Sequence, residues 1–259
     1  MSKFIDKLTQ SYRNLSPAIG FRSAAQDEDN RPILLIASLT GVSDNIIKGV
    51  VSSGVDAAVI DGDKLNATNM KTLMKNVGDI PIGLLLANTG TERIDEFINL
   101  GGDFIFFSPL VPVDTVNKEG IGKILIINPS MEPGIIRAIN ALDIPIDSVL
   151  IEGDEPTVTI ERLLVYQFFA SLLDKPLLAM ANTTITSNEL SGLHKAGVNG
   201  LILPKGFKSK AILELKEMIA DLPKLAKKKS SGSAIIPKIS GERKIDEDED
   251  EDDDDDEYI

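Results

Sequence analysis

Eight parallel β-strands alternating with helices and closed into a (β/α)8 barrel, an α/β fold, is the architecture this sequence predicts. Three observations carry the prediction. Short apolar runs rich in Ile, Val, Leu and Phe recur along the chain, the pattern of strands buried on both faces. Amphipathic segments separate most of them, and no hairpin turn joins any two, so the strands are parallel with right-handed crossovers. At 259 residues with 42% hydrophobic side chains, the chain has the size of one such barrel, typically ~250 residues. An open doubly wound sheet is the competing architecture. It would open on a Gly-rich first turn, and LTGVSDN lacks the GxGxxG pattern.

In chain order, Phe4, Ile5, Leu8, Tyr12 and Leu15 line one side of a short extra helix over residues 2–15, with Ser2 as its N-cap. Preceding the first strand, it is expected to cover the barrel's lower mouth, or else to meet a partner. Ser23–Asn30 is polar and reads as a loop. The predicted strands are Ile33–Leu39, Ala57–Ile60, Ile82–Ala87, Phe104–Phe107, Ile124–Ile127, Val149–Ile151, Leu177–Ala181 and Leu201–Leu203. Helices are expected over Ser43–Ser53, Asn69–Asn76, Glu92–Leu100, Pro133–Leu142, Ile160–Leu173, Ser187–Ala196 and Lys208–Leu222. Ile160–Leu173 is the most apolar, with Leu163, Leu164, Phe168, Leu172 and Leu173 as its apolar residues. Pro109–Gly122, with two prolines and two glycines, is a poor helix and reads as an irregular loop or one short turn. The barrel domain thus spans residues 33–223, after a 1–32 lead-in. KLAKKKSSGS opens a basic, Ser/Gly-containing linker over 224–245, in which Ile235–Ile239 is a short apolar patch. Residues 246–259 are an acidic tail with too little apolar area to order alone, expected to be disordered.

Charge follows this division. Asp246–Glu257 is an unbroken run of 12 acidic residues, which accounts for all but one unit of the net charge of −13. The body is therefore nearly neutral and offers no basic face for nucleic acid. The chain contains no cysteine, which excludes disulfides, thiolate catalysis and Cys-based metal sites. The polar N-terminus lacks the apolar core of a signal peptide, and the longest apolar stretches are far below the ~20 residues of a membrane span. A soluble, cytoplasmic protein is expected. The tail ending in Tyr258-Ile259 reads as a solvated segment or as a docking element for a basic protein partner. An oligomer is compatible with the sequence.

The phrases SSGVDAAVIDGD and HKAGVNGLILPKG resemble the helix–glycine–strand joints of the aldolase-type TIM-barrel superfamily. There a helix ends at Ala-Gly or Ser-Gly, followed by Val-Asp or Val-Asn and a short apolar strand. Gly54 and Gly197 supply the left-handed position such helix ends require. The resemblance covers roughly residues 33–222 and lies at the level of the fold, which hosts many unrelated activities.

In a barrel of this kind, function sits at the C-terminal ends of the strands. Those ends read Ser38, Asp61, Asn88, Ser108, Asn128, Glu152, Asn182 with Thr183 and Thr184, and Lys205. Strand ends turn polar simply on meeting solvent, but charges there must be solvated, paired or used. Asp61 and Glu152, on the second and sixth strands, face each other across a barrel and suit general acid–base work, or a divalent cation completed by water. No metal is assigned. Lys205 suits a phosphate or carboxylate as a point charge, or is a surface charge; class I aldolases resembling this fold place their lysine on the sixth strand, where this chain has Glu152.

Phosphate-binding members of the superfamily carry a glycine pair after the seventh strand and a glycine loop after the eighth. Here those positions read Asn182-Thr183-Thr184-Ile185 and Pro204-Lys205-Gly206. Thr hydroxyls, the Gly206 N–H and Lys205 remain as anion donors, so a small anionic ligand such as a sugar phosphate or flavin phosphate is the candidate. The cofactor stays unassigned. His194, the sole histidine, is placed in a helix away from these loops, with a surface or helix-dipole role. The readings that survive are a lyase, isomerase or flavin-dependent oxidoreductase acting on a phosphorylated or carboxylated ligand through Asp61, Glu152 and Lys205, and a non-catalytic barrel that binds partners through its tail and N-terminal helix.

Overall fold

A computed structural model describes residues 2–14, 31–64, 67–86, 91–153, 157–182 and 184–223. The linker, the acidic tail and the Ser23–Asn30 loop lie outside the described residues. Eight parallel strands close into a barrel in sequence order: β1 Leu34–Ser38, β2 Ala57–Asp61, β3 Ile82–Leu86, β4 Phe104–Phe107, β5 Gly122–Ile127, β6 Ser148–Ile151, β7 Leu177–Met180 and β8 Val198–Leu203. The ring closes where Leu34–Ala37 pair with Gly200–Leu203. Helices α2 Asp44–Ser52, α3 Ala67–Val77, α4 Thr91–Asn99, α5 Val113–Val116, α6 Pro133–Ala138, α7 Ile160–Leu172, α8 Ser187–Lys195 and α9 Ser209–Ala220 follow the strands in turn. Each predicted strand is present to within three residues at either end. Gly54 and Gly197 end their helices at φ +72° and +98°.

The extra helix is α1, Lys3–Asn14, and it closes the lower mouth. Its apolar side enters the barrel: Phe4 and Leu8 are fully buried beside Leu34, Phe104 and Leu178. Space for it comes from three glycines on the strands. A Cβ at Gly83 would lie 2.1 Å from the Phe104 ring, one at Gly122 2.5 Å from Ile5, and one at Gly200 2.5 Å from Leu178. Phe4 stacks on Phe104 at 4.7 Å between ring centroids. Because this face of α1 is consumed by the barrel, α1 offers no apolar stripe to a partner, contrary to the second of the two expected roles.

One device recurs at the bottom of the even-numbered strands. Asp56, Asp103 and Asp147 immediately precede β2, β4 and β6, and Asn199 lies near the start of β8. Asp56 accepts the Leu35 N–H at 2.9 Å, Asp147 accepts the Lys123 N–H at 2.8 Å and Asn199 accepts the Leu177 N–H at 3.0 Å. Each satisfies a backbone donor at the first or second residue of the preceding odd strand. Asp103 instead caps α1, accepting from the Lys3 N–H (2.7 Å), the Phe4 N–H (3.0 Å) and Ser2 Oγ (2.7 Å). The Val-Asp and Val-Asn joints are therefore strand anchors as well as turns.

Of the remaining helices, one is as short as expected and one departs from its reading. After β4 only the four residues of α5 are helical, as the prolines and glycines dictate. In α7 the buried residues are Tyr166 and Phe169, whereas Leu164 and Phe168, read from the sequence as part of its apolar set, are 65% and 43% exposed.

Candidate functional site

Alternation along each strand decides what the C-terminal mouth contains. Leu34, Ile36, Val59, Phe104, Phe106, Ile124, Leu150 and Ile202 line the barrel interior. Extending that parity by one step puts Ser38, Asp61, Ser108, Asn128, Glu152 and Asn182 on the inner side of their strands. Lys205 shares the parity of Leu203, which belongs to the outer shell between strands and helices, and it is exposed. The fold thus separates Lys205 from the two acids. Beneath the polar rim, Leu85, Ile126 and Met180 are partly exposed and form an apolar floor. Asn88 and Thr183 lie outside the described residues; Thr184 is exposed, and Gly206 sits in a turn at φ +76°.

Several rim residues have local structural work. Asp61 Oδ1 accepts the Asp63 N–H (3.2 Å), Ser108 Oγ the Leu110 N–H (3.3 Å) and Asn128 Oδ1 the Ser130 N–H (2.8 Å). All three are the i to i+2 bonds by which short polar side chains start a turn. Thr40, buried behind β1, accepts the Asp61 N–H at 2.6 Å and fixes the backbone there. Glu152 differs: its backbone N–H continues the ladder to Ile127 O, and its carboxylate makes no hydrogen bond or ion pair among the described residues.

Beside Glu152 lies a guanidinium that the sequence reading did not single out. Arg162, on the first turn of α7, donates from Nη2 to Gly153 O and to Tyr166 Oη, both at 3.0 Å, and from Nε to Tyr166 Oη at 3.2 Å. Its charge lies 5.5 Å from the Tyr166 ring centroid. Tyr166 is fully buried, and burial raises its hydroxyl above the usual pKa, while Arg162 acts in the opposite sense. Gly153 is required here because a Cβ would lie 2.6 Å from Arg162 Nη1. Ser130, Glu152, Thr159, Glu161, Arg162 and Tyr166 border a cleft of about 330 Å³ beside the end of β6. The sequence signal was present, since Arg162 stands two residues past the Ile160 that opens the most apolar helix. Only its turn back onto Gly153 gives it a role.

The start of α8, just past the expected phosphate turn, is capped by the protein's own side chains. Thr186 caps α8 and Glu189 completes a capping box. The Glu189 carboxylate accepts the Thr186 N–H at 2.8 Å and the Val158 N–H at 3.0 Å, and these donors hold it below the usual carboxylate range. An anion at that helix start would compete with this side chain. His194 is fully buried, with neither ring nitrogen hydrogen bonded. This corrects its placement at the surface: it faces the outer shell of the barrel, and burial, with Lys195 adding to it, lowers its pKa. Among the described residues, no group of three or more His, Cys, Asp or Glu is arranged to hold a metal ion, and no helix is long and apolar enough to cross a membrane.

No protein-family model matches the chain, and no curated protein matches it in sequence. Solved structures do. The thiamine phosphate pyrophosphorylase of Pyrococcus furiosus is 13% identical, with a TM-score of 0.56 over 73% of this chain and 96% of that one. A tryptophan synthase structure from Mycobacterium tuberculosis is 11% identical, with a TM-score of 0.60 over 87% of this chain and 99% of that one. The tryptophan synthase α2β2 complex of Pyrococcus furiosus contributes a chain 15% identical at a TM-score of 0.54, covering 73% and 97%. At these identities the likeness establishes the fold alone, that of a closed eight-stranded parallel (β/α)8 barrel.

Proposed function

We propose that this chain is a small-molecule enzyme of the aldolase-type barrel class, acting on a carboxylated or phosphorylated ligand at the C-terminal face. The observation that carries the reading is the cleft at β6, where a carboxylate without a protein partner among the described residues stands beside a guanidinium held in place by Tyr166 and Gly153. A planar guanidinium held in one orientation suits an anionic group on a ligand. Glu152 then serves as the general base or acid toward a carbon or oxygen next to that anion, and Asp61, across the mouth on β2, takes the complementary role. Ser38, Ser108, Asn128, Asn182 and Thr184 supply polar rim contacts, with Asn88 and Thr183 from the neighbouring loops. Lys205 and Gly206 attract the anion from the margin.

Lyase or isomerase chemistry fits this arrangement better than a flavin-dependent reaction, because Glu189 fills one half of the turn a flavin phosphate would use. Two neighbours in fold act as support of a weaker kind, since thiamine phosphate pyrophosphorylase and tryptophan synthase are enzymes by name.

The test is a thermal-shift and NMR titration of the purified protein against phosphorylated and carboxylated metabolites. A saturable rise in Tm is expected for at least one ligand class. Glu152→Gln should keep the unliganded Tm and binding within about twofold, yet lower turnover by a factor on the order of 10²–10⁴. A ligand whose turnover is untouched by Glu152→Gln sinks the assignment.

A further inference from the structure

The chain contains a single Asn-Gly pair, Asn199-Gly200, and the fold places it at the start of β8 on the barrel floor. Separate packing demands require each member. Asn199 is 1% exposed, and its Oδ1 accepts the Leu177 N–H at 3.0 Å. Gly200 gives up its side chain to its neighbours, since a Cβ there would lie 2.5 Å from Leu178 and 3.8 Å from Leu8 of α1. Together they form a reactive sequence. With no Cβ on the second residue, its backbone nitrogen meets no hindrance in attacking the asparagine side-chain carbonyl carbon, and glycine reaches the necessary backbone angles freely. Asn199 is also the odd member among the polar groups of the floor. Asp56 is balanced by Arg31 and Lys7, Asp147 lies in the field of Lys123, and Asp103 accepts three donors at the start of α1. The Asn199 side chain is neutral, and its Nδ2 has no hydrogen-bond partner among the described residues.

We propose that Asn199 is a deamidation site gated by the barrel floor: locked while β8 is paired, reactive once β8 is released, and, after reaction, incompatible with closing the floor again. In the reaction the Gly200 nitrogen bonds to Asn199 Cγ, and the side-chain nitrogen leaves as ammonia with the proton that Gly200 gives up. Water then opens the cyclic imide at either carbonyl, to aspartate or to isoaspartate. Locking follows from geometry. Gly200 pairs with Leu34 of β1 on one side and Leu178 of β7 on the other, so its nitrogen reaches Cγ only by leaving the sheet. The bond to Leu177 fixes the side chain that would have to turn toward it. Unfolding removes both restraints. Neither product fits the closed floor. Aspartate places a charge at a buried position where the Leu177 N–H is the donor that faces it. Isoaspartate carries the main chain through an extra carbon and shifts the rest of β8 out of register. A barrel held open is thereby withdrawn from the pool that can refold.

Incubation of the full-length protein at mildly alkaline pH, in native buffer and in concentrated guanidinium chloride, decides the matter. Peptide mass spectrometry and isoaspartate detection follow position 199. Deamidation there should be more than about tenfold faster in the denaturant, because native pairing suppresses the open form. On dilution of the denaturant, the native fraction should contain intact Asn199, and the reacted chains should collect in the unfolded or aggregated fraction. Asn199→Ser cannot form the imide and keeps a short oxygen acceptor, so its refolding yield should not fall over the same exposure. Should that variant fail to fold, the partition of reacted wild-type chains between the two fractions still gives the answer. Equal rates in the two conditions, or reacted chains recovered as native protein with an unchanged Tm, overturn the proposal.

Discussion

At the scale of single residues, the instructive contrast is between Glu152 and the polar side chains around it. Asp61, Ser108 and Asn128 each spend a side-chain oxygen on the N–H two residues ahead. Their residue types were legible as strand ends, but nothing in the sequence separates a turn-former from a ligand contact, because both call for a short acceptor. Glu152 has a longer side chain, makes no such bond among the described residues, and borders the same cleft as Arg162, at the start of α7. His194 carries the opposite lesson. Its place in a helix away from the strand-end loops suggested a surface or helix-dipole role, yet it is buried on the same side of α8 as Leu190 and Leu193. Burial of an imidazole with no partner lowers its pKa, so the unfolded chain takes up a proton near pH 6.5 while the folded chain still resists it. Stability is therefore complete above about pH 6.5 and lost as pH falls from there toward the lower folded value. We expect His194→Leu to stabilise the barrel by about 1 kcal/mol at neutral pH, by removing two unsatisfied polar atoms. It should also flatten the fall in Tm between about pH 7.5 and 5.5. Thermal melts of both proteins at the two pH values check this.

Elements are held in register by the carboxylates at the barrel floor. Asp56 is the most committed of them: its side chain is fully buried, and it binds Arg31 Nη2 at 2.6 Å, Lys7 Nζ at 2.8 Å and the Leu35 N–H at once. It therefore ties β1, β2 and α1 together. Replacing it with alanine leaves buried donors and cations without an acceptor, and should cost about 3–5 kcal/mol. Asp103→Ala, which uncaps the start of α1, should cost about 1–2 kcal/mol. Urea unfolding of the two variants ranks them, and equal losses would show that the anchor at β2 is no stronger than a helix cap. The strands themselves were legible because a parallel barrel strand is apolar on both faces and stands out as an uninterrupted run. The α7 face was not: a helix that is apolar nearly all round has no stripe to read, and only its packing shows that Tyr166 and Phe169 point inward.

For the molecule as a whole, the acidic tail sets the charge. The 12 acidic residues of Asp246–Glu257 carry nearly all of the net −13. Removing Asp246–Ile259 leaves a barrel of net charge near −1, and such bodies associate and precipitate readily. The truncated protein should keep its Tm to within about 2 °C, because the tail offers no apolar area to a core. It should lose solubility severalfold at low salt. Light scattering against concentration, with and without the tail, measures the effect.

The sequence by itself determined the barrel, its eight parallel strands, the extra N-terminal helix and the weak fourth helix. These follow from periods of two and 3.6 residues and from glycine and proline, which act over a few neighbours along the chain. Tertiary structure alone decided that Glu189 accepts the Val158 N–H from the preceding loop, that His194 is buried, and that Arg162 folds back onto Gly153. Each of these depends on which side chains distant in sequence come within bonding distance, a matter set by the closure of the sheet rather than by any local pattern.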